Sequence, residues 1–153
     1  MLTLTTHSVE ETRELGRRLG TVLKAGDIVA LDGDLGAGKT AMTGGIAEGM
    51  GIKGRISSPT FTIVNEYPGE LTLYHFDTYR LADEEDFCSS GLDEYFGMGG
   101  VCVIEWSNMI AGLLPDDAVR IVITGTGDTR TIEVDAPSDI EDALKADEKG
   151  GEN

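Results

Sequence analysis

Gly33-Asp34-Leu35-Gly36-Ala37-Gly38-Lys39-Thr40 fits the spacing GxxxxGK[ST], the pattern with which a chain cradles a polyphosphate. Glycines let the backbone curl so that successive N–H groups face inward, and a helix starting there adds roughly half a positive charge at its first turn. Lys39 is expected on the β- and γ-phosphates, and the Thr40 hydroxyl on Mg²⁺. The expected ligands are therefore ATP and Mg²⁺, with all eight residues of the loop lining the cradle.

Such a loop needs an acid to complete the metal site, normally at the C-terminal end of a neighbouring apolar strand. Glu105 directly follows Val101-Cys102-Val103-Ile104, and Asp77 follows the alternating stretch that ends His75-Phe76. Glu105 is assigned to Mg²⁺, directly or through water. Asp77 is assigned to the attacking water or to the outer shell of the metal. Thr60, after Pro59, is a candidate for sensing the γ-phosphate or the metal as switch loops do. His75 reads as a packed strand histidine rather than a base. Trp106 reads as half-buried packing, with a partner surface or a lid over the site as alternatives.

The elements that must position these residues alternate between strand and helix. Ser8-Val9-Glu10-Glu11 is a capping box, and Leu15, Leu19, Val22 and Leu23 then fall on one stripe of a helix over 9–24. Arg13 and Arg17 lie on its outer face and read as solvated. Ile28-Val29-Ala30-Leu31 is a short buried strand leading into the glycine loop, and a helix is expected from Lys39 to about Met50. Gly44, Gly45 and Gly49 each cost that helix about 1 kcal/mol against alanine, so either tight packing compensates or the helix is locally soft. Ser57 to Thr60 is a loop. An extended segment from Phe61 turns at Pro68-Gly69 into a hairpin partner, Leu71 to Phe76. Short helices open near Asp83 and Gly91. Val101 to Ile104 is a second candidate central strand, and strands at 119–124 and 131–134 close the chain. The class is α/β.

With 153 residues, 40% of them hydrophobic, the chain suits a single domain, 1–136, followed by an acidic tail at 137–153. That tail has the makings of a short amphipathic helix around Ile140 and Leu144 that then frays. Cys88 and Cys102 match no metal spacing and read as reduced packing residues. Without a leader or a run of about 20 apolar residues, a cytoplasmic protein away from membranes is expected. The net charge of −16 repels phosphate backbones, so direct grip on a nucleic acid is not expected. ATP, also an anion, must be captured by local positive potential alone.

GDLGAGKT at Gly33 to Thr40, SPTFT at Ser58 to Thr62, HFDTYRL at His75 to Leu81, GLDEYF at Gly91 to Phe96 and IEW at Ile104 to Trp106 occur in this order. In that set the chain resembles the TsaE family, also called YjeE, the bacterial ATPases of tRNA threonylcarbamoyladenosine biosynthesis. The resemblance runs from Ser8 to about Val134. It implies a three-layer P-loop NTPase fold, with a central, mostly parallel sheet and added antiparallel strands, and slow Mg²⁺-dependent ATP hydrolysis. It implies TsaD and TsaB as partners, with tRNA reached only through their complex. It supports Lys39 on phosphate, Thr40 and Glu105 on Mg²⁺, Asp77 in catalysis and Thr60 in a switch-like loop. It adds Ser8 and Arg130 as nucleotide neighbours. Gly44-Gly45 and Asp86-Phe87-Cys88 depart from the usual pattern of the family.

A small-molecule kinase would share the phosphate loop but needs a cluster of arginines to clamp the transferred group, and the seven arginines here are scattered. A GTPase would need an NKxD-type guanine-reading loop, which the sequence lacks. A non-catalytic nucleotide-sensing adaptor is the remaining alternative.

Overall fold

The computed structural model describes residues 2–33, 38–53, 64–77, 84–105, 110, 112–125 and 128–151, with side chains as far as Lys145. The strands are β1 (Leu2–Thr6), β2 (Ile28–Gly33), β3 (Val64–Tyr67), β4 (Leu73–Asp77), β5 (Val101–Glu105), β6 (Val119–Thr124) and β7 (Arg130–Asp135). The α-helices are α1 (Val9–Val22), α2 (Lys39–Gly49), α3 (Glu84–Ser89) and α4 (Ser138–Gly151), and Leu92–Gly97 forms a 3₁₀ helix.

The strands make one seven-stranded sheet in the order β1-β7-β6-β2-β5-β4-β3. Its centre, β6-β2-β5-β4, is parallel, while β1, β7 and β3 add antiparallel edges. Parallel strands covered on both faces must be apolar on both, and Val101 to Ile104 is accordingly no more than 1% exposed at any position. Side chains alternate between two cores. Leu31, Leu73, Val101 and Val103 pack with α1, α2 and α4 on one face, whereas Tyr74, Phe76, Cys102 and Ile104 pack with Phe87 and Leu92 on the other. The second core is aromatic: the rings of Phe76 and Tyr95 meet edge-on at 5.5 Å, and Phe87 and Phe96 are 5.6 Å apart. The GLDEYF segment thus supplies packing beneath β4.

The glycines of α2 are explained by its neighbour. A Cβ at Gly45 or Gly49 would collide with the carbonyls of Arg13 and Arg17, and one at Gly16 or Gly20 with those of Met42 and Ile46. The two helices cross backbone to backbone, so tight packing offsets the propensity cost and α2 runs unbroken. Gly44 takes no part; a Cβ there would meet only the Arg13 side chain, at 3.8 Å.

β1 is absent from the sequence expectations, although Leu2 and Leu4 alternate with Thr3 and Thr5 in the period of a half-buried strand. The amphipathic helix expected around Ile140 and Leu144 is present as α4, and both side chains are buried in the core beside α1. No helix among the described residues is long and apolar enough to cross a membrane.

Candidate functional site

The parallel strands β2, β4 and β5 all end at one edge of the sheet, with Gly33, Asp77 and Glu105 as their last residues. Ligands of open α/β sheets bind at that edge. Gly33 presses against the Ile123 carbonyl of β6, where a Cβ would collide. Gly38, in the left-handed region at φ 105°, turns the chain into α2. Asp34, Leu35, Gly36 and Ala37 lie outside the described residues, as do Thr60 and Trp106.

Lys39, in the first turn of α2, is only 6% exposed and its Nζ donates to the Gly33 carbonyl at 3.2 Å. The ammonium is thus held at the C-terminal end of β2. Thr40 follows on an exposed position of the same turn, and Thr43 Oγ1 donates to the Lys39 carbonyl at 2.9 Å, fixing that turn. The first turns of α1, α3, α4 and the 3₁₀ helix all carry acids, and that of α2 carries none. Among the described helices, this start adds the positive end of the dipole and the Lys39 ammonium with no acid in its own first turn, in a chain of net charge −16.

Asp77 and Glu105 are register partners across β4 and β5. Alternation puts both on the sheet face that packs α2, the face shared by Leu73, Val101 and Val103. Glu105 is 5% exposed, and His75, completely buried on the same face, lies with Nε2 2.5 Å from Glu105 Oε2. Among the described residues no three histidines, cysteines or acids converge on one point. Carboxylates and hydroxyls, the donor types of Asp77, Glu105 and Thr40, are those that a hard cation such as Mg²⁺ takes, with waters and phosphate oxygens in the rest of its shell.

β1 ends at Thr6, paired with Arg130 at the start of β7. Ser8 caps α1, its Oγ accepting from the Glu11 N–H at 3.1 Å, while the Glu11 carboxylate accepts from the His7 N–H at 2.9 Å. The expected capping box is thus present, shifted by one residue on its return bond. Ser8 and Arg130 share this corner; Arg130 Nη1 donates to the Thr129 carbonyl at 3.1 Å. Thr12 was not foreseen. It is buried, its hydroxyl lies 2.7 Å from that of Thr6, and its methyl is 3.6 Å from where a Cβ of Gly38 would be. A polar residue inside the apolar stripe of α1 was the available signal. Arg13 and Arg17 make surface ion pairs with Glu48 and Glu14, in keeping with a solvated face.

Comparison with known proteins shows the family and the fold. The family model described as "Threonylcarbamoyl adenosine biosynthesis protein TsaE" matches residues 6–132. The tRNA threonylcarbamoyladenosine biosynthesis protein TsaE of Bacillus subtilis (strain 168) is 49% identical over 78% of this chain and 75% of its own length. The protein of that name from Treponema pallidum (strain Nichols) is 47% identical over 74% of this chain and 84% of its own. The crystal structure of Bacillus subtilis YdiB superposes with a TM-score of 0.75 at 39% identity, covering 99% of this chain and 96% of that one. The chain belongs to the TsaE family, whose members take part in threonylcarbamoyladenosine biosynthesis.

Proposed function

We propose that this chain is a Mg²⁺-dependent ATPase that hydrolyses ATP slowly and drives or resets tRNA threonylcarbamoyladenosine modification in the cytoplasm, acting with TsaD and TsaB. The observation that carries the reading is the placement of Lys39 at an acid-free helix start, on the sheet edge where Asp77 and Glu105 stand side by side. The N–H groups of the loop and the first turn of α2 bind the phosphates, with Lys39 bridging the β- and γ-groups. Thr40 and Glu105 would hold Mg²⁺, Glu105 directly or through water, where a bound ion would supply charge neutralisation at the phosphate oxygens.

Asp77 orients a water for in-line attack on the γ-phosphorus and takes its proton as the bond to the β–γ bridging oxygen breaks. Thr60 senses the γ-phosphate or the metal, and Ser8 and Arg130 flank the nucleotide from the β1–β7 corner. The charge of −16 leaves tRNA to be gripped by the partners.

Reconstitution tests this reading. Purified chain, TsaD, TsaB and tRNA are assayed for repeated cycles of modification with and without ATP, and retention of TsaD and TsaB on the immobilised chain is measured in parallel. Multiple turnover and retention that both depend on ATP are expected. Modification that cycles equally well without the chain would contradict it.

A further inference from the structure

We propose that His75 is a positioning residue for Glu105, its Nε2–H holding the carboxylate in the one orientation from which it can serve the metal and water beside Asp77. This deepens the ATPase reading and rests on it. His75 is completely buried within β4, with Leu73 two residues before it on the same apolar face. Among the described residues the imidazole makes one hydrogen bond, Nε2 to Glu105 Oε2 at 2.5 Å, while its buried Nδ1 has no partner there.

That asymmetry selects the tautomer. A proton on Nδ1 would bury an unsatisfied donor and would aim the Nε2 lone pair at a carboxylate oxygen. With the proton on Nε2, the ring donates to Glu105 and leaves only an acceptor unmatched. Asp77, the register partner of Glu105, pushes the other way, because two carboxylates on adjacent strands repel. The histidine is the counter-hold, fixing the Glu105 rotamer before any cation arrives, as outer residues do for metal ligands.

Three substitutions at one position test this, because amide reach differs. The amide nitrogen of Gln coincides with Nε2, and that of Asn stops at the place of Nδ1. His75→Gln is expected to keep kcat within about threefold, whereas His75→Asn and His75→Leu lose about 10- to 100-fold. All three should keep the wild-type affinity for a fluorescent ATP analogue. In a Glu105→Gln background His75→Asn should cause no further loss. Nitrogen NMR of nucleotide-free protein, labelled at histidine, should show the His75 proton on Nε2 in wild type.

Turnover by His75→Leu equal to wild type, equal losses in Gln and Asn, or a proton on Nδ1 would each overturn the proposal. An inactive wild type with the proton on Nε2 would contradict the ATPase reading, and with it the kinetic role given to His75, while leaving the hydrogen bond standing.

Discussion

Asp77 and Glu105 face each other across the β4–β5 ladder, two carboxylates on adjacent strands and on the same face of the sheet. Strands are about 4.8 Å apart, so the pair is stable only with a donor or a cation close by. His75 supplies the donor to Glu105. On the proposed ATPase reading, a metal-bound phosphate at the first turn of α2, beside Lys39 and Thr40, would supply the cation. Removing either charge should therefore spare nucleotide capture and stop chemistry. Asp77→Asn and Glu105→Gln are expected to bind ATP within a few-fold of wild type and to lose about 100-fold or more in turnover, read by phosphate release. Equal rates in wild type and Asp77→Asn would remove Asp77 from the mechanism.

The crossing of α1 and α2 brings their backbones into contact at Gly45 and Gly49. Gly45→Ala or Gly49→Ala forces the backbones apart and should cost about 1–3 kcal/mol in urea unfolding. Gly44→Ala, one residue away on the open side, should raise stability by up to about 1 kcal/mol. Equal effects at positions 44 and 45 would mean that the helices do not touch there.

Leu144 is 1% exposed and Ile140 5%, both in the core that packs α1. Leu144→Ala should cost about 2–5 kcal/mol in the same unfolding measurement. A neutral effect would return this segment to the status of a tail.

Cys102 is buried and Cys88 exposed. Burial pushes the Cys102 thiol up to about 12, and desolvation, then Asp93 and Glu84, raise that of Cys88. A thiol reagent near pH 8 should modify Cys88, slowly, and reach Cys102 only after unfolding. The sign of the pH dependence follows from the raised value. The unfolded chain gives up the Cys102 proton near 9 while the folded chain keeps it to about 12. This contribution is fully present below 9 and should fall by about 1.4 kcal/mol per pH unit above it. Cys102→Ala should show a shallower fall over that window, and identical slopes would contradict the assignment.

Much of this was legible in the sequence because the signals are local. The phosphate loop, the strand into it, and the acids closing two apolar runs each sit within a few residues, and the structure puts Gly33, Asp77 and Glu105 at one edge. What escaped depends on pairing between distant segments. β1 has the alternation of a strand but needs β7 to become one. Ile140 and Leu144 looked like a fraying amphipathic face because nothing local shows that α1 covers them. Gly45 and Gly49 looked like weaknesses until the carbonyls of Arg13 and Arg17 appeared opposite. His75 looked like packing because its partner Glu105 is 30 residues away.

Titration calorimetry of ATP with Mg²⁺ into the purified chain, wild type against Lys39→Ala, tests the central claim most directly. One binding event per chain that requires Mg²⁺ and disappears in Lys39→Ala is the predicted result. No uptake by the wild type, or uptake undiminished in Lys39→Ala, would contradict it.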